Sequence, residues 1–155
     1  FAAVASFNCG EFEESKEYFL QLNAIFPDTQ LLKYHLNNVE KAISGEFEPT
    51  TMPFDLSLPQ DEQTRITVEI ENMNFDEVWT DEEKERYISW AFSCENLALT
   101  DFILDKLYES NPKKTQKILK NLLAQEYGWQ FKSIVLWKYL QWYPKGKIFA
   151  NNAKA

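Results

Sequence analysis

The stretch Gly10-Glu11-Phe12-Glu13-Glu14-Ser15-Lys16-Glu17-Tyr18-Phe19-Leu20-Gln21-Leu22-Asn23-Ala24-Ile25-Phe26-Pro27 decides the fold. Phe12, Ser15, Phe19, Leu22 and Phe26 recur at three- and four-residue steps, while Glu13, Glu14, Lys16 and Glu17 fall on the other side. That is the period of an amphipathic helix, and Pro27, which has no amide hydrogen to give the helical ladder, closes it. Upstream, Phe1 to Phe7 is apolar enough to be the end of a partner helix, with Gly10 supplying the turn between the two. Downstream, a second helix is expected from about Thr29 to Ser44. Asp28 or Thr29 would cap it, Gly45 would stop it, and Leu32, Leu36, Val39 and Ile43 would form its apolar row.

Composition agrees with a helical reading. The chain has 155 residues, 45% hydrophobic and 26% charged, which is the balance of an ordinary globular protein. A fold of this length buries roughly 70% of the surface its unfolded chain exposes and needs no disulfide staples. Only 4 Gly and 6 Pro are present. Sandwiches and barrels spend such residues at frequent turns, so their scarcity favours long helices with few corners.

The residues around Gly10 resemble the tetratricopeptide repeat, a pair of antiparallel helices of about 34 residues. Its pattern has a small residue at the turn, an acidic residue and an aromatic, then a small, an aromatic and an apolar residue down the second helix, and a proline at the exit. Gly10, Glu11, Phe12, Ser15, Phe19, Leu22 and Pro27 follow it, and Gly45-Glu46-Phe47 repeats Gly10-Glu11-Phe12 after 35 residues. The first repeat lacks most of its first helix, and the second meets Pro49 and Pro53 where its second helix should run. The resemblance therefore covers residues 1–47. It implies an all-α fold of antiparallel helical hairpins, continued beyond by a divergent helical array, and it implies a non-enzymatic protein-protein interaction scaffold that grips a peptide or partner helix. If the helix of 29–44 lines the groove of such a scaffold, Tyr34, Asn37, Asn38 and Lys41 are its contact residues.

Residues 48–58, with Pro49, Thr50, Thr51 and Pro53, read as a linker, and 59–143 as a helical-hairpin module. Pro59 suits the first position of a new helix, with Asp61 and Glu62 near its positive end. Arg65 to Glu71 alternates as a strand would, yet Ile66, Ile70 and Met73 also fit a helix. Helix is favoured, because no second alternating segment offers a pairing partner. Thr80-Asp81-Glu82-Glu83 reads as a capping box with the Thr80 hydroxyl on the Glu83 amide, opening a helix to about Asn96 with Tyr87, Ile88, Ala91 and Phe92 inward. Further helices are expected at 98–109, 112–124 and 130–142, with Pro112 and Gly128 as punctuation and 144–155 as a tail.

Candidate chemistry is sparse. Cys9 and Cys94 lack metal or redox spacing and are expected as small buried or half-buried thiols, which fits a reducing, cytoplasmic location. His35 is the single histidine and stands mid-helix, where a surface or groove-lining imidazole is expected. No nucleophile turn or glycine-rich phosphate loop exists, and the carboxylates of Asp76, Glu77, Asp81, Glu82, Glu83 and Glu85 read as a solvated face. No catalytic residue, metal or cofactor is expected. No run of 18 apolar residues marks a membrane span. Because the chain opens on Phe1 and not on Met, more sequence is expected upstream.

Charge is the sharper signal. The formal net charge of −8 divides into −16 over residues 1–105 and +8 over residues 106–155. In the basic part Lys113, Lys114, Lys117 and Lys120 share a helix with Ile118, Leu119, Leu122 and Leu123, and Trp129, Phe131, Trp137, Tyr139, Trp142 and Tyr143 follow. Lysines interleaved with aromatics can serve as a polyanion or nucleic-acid face, with Lys113, Lys117 and Lys120 on phosphates and the rings on bases. Three readings compete with it. In one, Trp137, Tyr139 and Leu140 fall at core spacing and the lysines form a solvated face; in another the partner is an acidic protein; in the third the acidic part of one molecule meets the basic part of another. All positive residues here are lysine, whereas arginine better suits bidentate phosphate recognition.

Overall fold

The computed structural model describes residues 1–27, 29–46, 51–52 and 57–144. Asp28, Phe47, Pro49, Thr50, Pro53 and the expected tail from 145 lie outside the described residues. Among the described residues eight α-helices account for nearly all the regular structure: α1 (Ala2–Asn8), α2 (Phe12–Ile25), α3 (Gln30–Ser44), α4 (Gln60–Glu71), α5 (Glu82–Ser93), α6 (Leu97–Ser110), α7 (Pro112–Ala124) and α8 (Trp129–Trp142), with a 3-10 turn at Phe75–Glu77. The chain is all-α, and Arg65 to Glu71 lies in α4. Among the described residues no helix is long and apolar enough to cross a membrane. The chain divides into two compact units, Phe1–Ile66 and Thr67–Ala155, with the boundary falling in the sequence of α4.

In the first unit α1 packs on α2 and α2 on α3. Gly10 turns the chain at φ 83° and Gly45 ends α3 at φ 75°, both in the left-handed region where a side chain is strained. Ser15 is fully buried and donates to the Ala3 carbonyl at 2.7 Å, so a small hydroxylated residue is what lets α1 and α2 approach there. Ala3, Phe7, Phe19, Val39, Ala42 and Met52 form the core, with Phe12, Leu22, Leu32 and Leu36 half-buried around it. Phe26, just past the end of α2, and Ile43, in the last turn of α3, are counted inward from their spacing but are exposed. Met52, within the expected linker, is held by Asn8: its amide donates to Asn8 Oδ1 at 2.7 Å and its carbonyl accepts from Asn8 Nδ2 at 3.0 Å.

His35 departs from expectation. It is buried at 7% exposure and stacks on Phe19 with centroids 5.4 Å apart and planes 16° from parallel. The residue is one turn before Val39, so helical period carries it into the core beside α2. Burial lowers its pKa, and Nδ1 has no hydrogen-bond partner among the described residues, both of which suit a neutral ring.

The second unit is built on α6, which touches α5, α7, α8 and the 3-10 turn. Thr100, Ile103, Leu104 and Leu107 of α6 are fully buried, and Leu119, Leu123, Phe131, Val135 and Tyr139 close on them from α7 and α8. Asparagine caps recur: Asn74, Asn96 and Asn111 each accept an amide of the helical turn that follows. The expected Thr80 cap is replaced by Asp81, whose carboxylate accepts from the Glu83 and Lys84 amides, while Thr80 turns back to the Glu77 carbonyl. A carboxylate carries full charge to the positive helix end, so it wins over the neighbouring hydroxyl. Asn96, expected inside α5, instead starts α6, and α5 stops at Ser93.

Both cysteines are exposed, against the expectation of burial. Each stands at a helix end, Cys9 after α1 and Cys94 after α5, where the chain leaves the core. Trp137 and Leu140 are likewise exposed, at 63% and 54%. The core side of α8 is set by Phe131, Val135, Lys138 and Tyr139, and Trp137 and Leu140 lie on the other side of the helix.

Candidate functional site: a cleft between two helices

The described residues offer three candidate surfaces. In the first unit, Tyr34, Asn37, Asn38 and Lys41 share one flank of α3, with Asn37 exposed and the other three half-buried. His35, Val39 and Ala42 take the adjoining flank into the core, which leaves the first four as a polar stripe of helical spacing.

In the second unit, α5 and α7 face each other across a cleft of about 370 Å³. Its base is apolar: Ile88 and Phe92 of α5, Leu107 of α6 and Leu122 of α7 line it, each at most 5% exposed. Its rim is polar, with Glu85 and Ser89 on the α5 wall and Lys114 and Asn121 on the α7 wall, all exposed. Ile118, half-buried, projects from α7 between rim and base. The lining runs over two turns of each helix, roughly 10–12 Å at 1.5 Å per residue.

Trp79 closes one end of the cleft and Tyr127 the other. The Trp79 indole donates from Nε1 to Ser110 Oγ at 3.0 Å, and Ser110 donates onward to Asp76 Oδ1 at 2.6 Å. Lys114 Nζ lies 5.6 Å from the centroid of the same indole, within reach of its negative face. Tyr127 packs on Phe131 with centroids 4.3 Å apart, and burial raises its pKa with help from the Glu95 charge. Glu95, at φ 52°, accepts the Gly128 amide at 2.6 Å and so ties the loop after α7 to the end of α5.

The third surface is the lysine row. Lys113, Lys117 and Lys120 are exposed on α7. Of the aromatics after them, Phe131 and Tyr139 are buried, whereas Trp129 and Trp137 are exposed at 58% and 63%. Lys132 and Lys138 are buried, at 6% and 4%, so they are absent from that face.

Sequence reasoning placed the α3 stripe and the lysine row but missed the cleft. Of its base residues, spacing alone turns Ile88 and Phe92 inward and puts Leu122 on the apolar side of its helix, as the structure has them. What periodicity omits is that α5 and α7 both pack on α6 while leaving space between themselves. Among the described residues no three His, Cys, Asp or Glu side chains gather as a metal cage. No family model, curated protein or solved structure matches the chain.

Proposed function

We propose that this protein is a non-enzymatic interaction scaffold whose α5–α7 cleft takes a short peptide segment or partner helix anchored by one or two apolar side chains. The observation that carries this reading is the cleft itself: an apolar base inside a rim of exposed polar side chains from two helices. A volume of about 370 Å³ suits one or two large side chains, and the polar rim gives hydrogen bonds for the backbone around them. The tetratricopeptide-like reading of residues 1–47 supports the same class of function. Its supports are the left-handed Gly10 turn, the buried Ser15 and Phe19, and the sequential packing of α1, α2 and α3. In that reading Tyr34, Asn37, Asn38 and Lys41 form a further polar contact.

Photo-crosslinking in the cells that make the protein tests the cleft. A crosslinking residue placed at Ser89 or at Asn121 should give the same adduct, absent when it is placed at Gln130 on α8. Ile118→Asp, checked for fold by circular dichroism, should abolish that adduct. Equal adducts at all three positions, or an adduct indifferent to Ile118→Asp, would reject the cleft as the site.

A further inference from the structure

A second surface lies on the side of the α7–α8 pair away from α6. Trp129, Ser133, Trp137 and Leu140 stand at steps of four, four and three residues, all exposed, while Phe131, Val135 and Tyr139 bury the other side of the same helix. Gln116 Nε2 donates to Tyr139 Oη at 3.3 Å, and the Tyr143 hydroxyl donates to the Pro112 carbonyl, so the start of α7 lies beside the end of α8. That antiparallel pairing sets the row of Lys113, Lys117 and Lys120 alongside the row of Trp129, Trp137 and Leu140.

From this geometry we infer that the α7–α8 face is a docking surface for an acidic amphipathic helix of a partner protein. Charge gives the first argument. Neither α7 nor α8 contains an aspartate or glutamate, Glu126 is the lone carboxylate of residues 110–144, and no carboxylate among the described residues pairs with Lys113, Lys117 or Lys120. The row is thus a local positive field without internal compensation, complementary to a negative flank.

Spacing gives the second. The exposed row Trp129, Ser133, Trp137 and Leu140 rises by about 6, 6 and 4.5 Å in turn along α8, which matches the i, i+4, i+7 row of a second helix laid along it. Stacked nucleotides step at about 3.4 Å, and Leu140 offers no ring to stack on. Two exposed tryptophans are also the residue type that most often anchors a protein interface. A partner helix would set its apolar row on Trp129, Trp137 and Leu140 and its carboxylates against the lysines. This face shares no residue with the α5–α7 cleft, so either can fail alone.

A displayed library of helical peptides, panned on the intact chain and counter-panned on a Lys113→Glu, Lys117→Glu, Lys120→Glu variant, tests the inference. Enriched sequences should carry large apolar residues at i, i+4 and i+7 with Asp or Glu on one flank. A synthetic peptide of the best sequence should bind at least tenfold more weakly to the lysine variant and to Trp129→Ala, Trp137→Ala, each checked for fold by circular dichroism. Enrichment of sequences without an acidic flank, or no enrichment, would overturn the proposal, as would binding unchanged by the tryptophan variant. A single-stranded oligonucleotide that binds more tightly than the peptide, with a log–log salt slope near −2 for three lysines, would also overturn it and assign the face to nucleic acid.

Discussion

The Lys138 ammonium lies 2.6 Å from the Asp105 carboxylate, and only 4% of the lysine is exposed. Asp101 holds the same nitrogen at 2.8 Å, and the Trp142 ring centroid is 5.0 Å away. Burial alone would lower the lysine's pKa, yet the two carboxylates outweigh it and raise it. The asymmetry lies in exposure. Both aspartates remain about half exposed, so they tolerate losing their partner, whereas the ammonium has no water to replace them. Asp101→Asn with Asp105→Asn should cost about 2 kcal/mol, and Lys138→Met should change stability by less than about 1 kcal/mol. Tryptophan fluorescence during urea unfolding reads this cleanly, since all five tryptophans lie in the second unit. Equal losses from the two variants would contradict the account.

Asp81, not Thr80, caps α5. Asp81→Ala should lower the unfolding midpoint of the second unit by a few degrees, while Thr80→Ala leaves it unchanged. Acid bears on the same cap. Hydrogen bonds from the Lys84 and Glu83 amides and the Lys84 charge hold the Asp81 pKa below 3.8. Its contribution is therefore complete above the unfolded carboxylate value and disappears as pH falls through the folded one. A thermal scan in which Thr80→Ala is the damaging substitution would restore the threonine cap.

His35 titrates near 6.5 when unfolded, and its burial against Phe19 lowers that value in the folded chain. Between the two values the unfolded chain binds a proton that the folded chain does not. Stability of the first unit is therefore complete above about pH 6.5 and declines as pH falls through that point toward the folded value. His35→Leu should flatten this decline between about pH 7.5 and about pH 5.5. Far-ultraviolet circular dichroism during urea unfolding follows it, because the first unit has no tryptophan. A variant with the same slope as wild type would show that other groups carry the dependence.

What was legible in the sequence was what helical period encodes. Pro112 with Asn111, Gly45 and the apolar rows of α2, α3 and α7 fix those elements to within a residue or two, and Arg65 to Glu71 resolved to helix, with no pairing strand among the described residues. Errors gather where a residue's fate depends on a neighbour not adjacent in sequence. His35 looked outward until Phe19 gave it a stacking partner, and Trp137 looked inward because α8 is apolar on both sides. The cleft was invisible for the same reason: its existence depends on how far apart α5 and α7 sit on α6, a distance no spacing within either helix records.

Ser110 links the candidate cleft to the turn before α5. Its hydroxyl accepts from the Trp79 indole and donates to Asp76, so one side chain fixes both the closing ring of the cleft and the 3-10 turn at Phe75–Glu77. Ser110 is itself absent from the cleft lining. Ser110→Ala removes both hydrogen bonds at a cost of about 1–2 kcal/mol, with the indole nitrogen left unpaired beside α6. Trp79 then loses its fixed ring orientation, and Lys114 loses the face it sits over. A cleft peptide identified by crosslinking should bind Ser110→Ala several-fold more weakly although no atom it touches has changed. Ser110→Thr, which keeps the hydroxyl, should restore most of the affinity. Isothermal titration with both variants decides it: unchanged binding by Ser110→Ala would mean that the ring is held by packing alone.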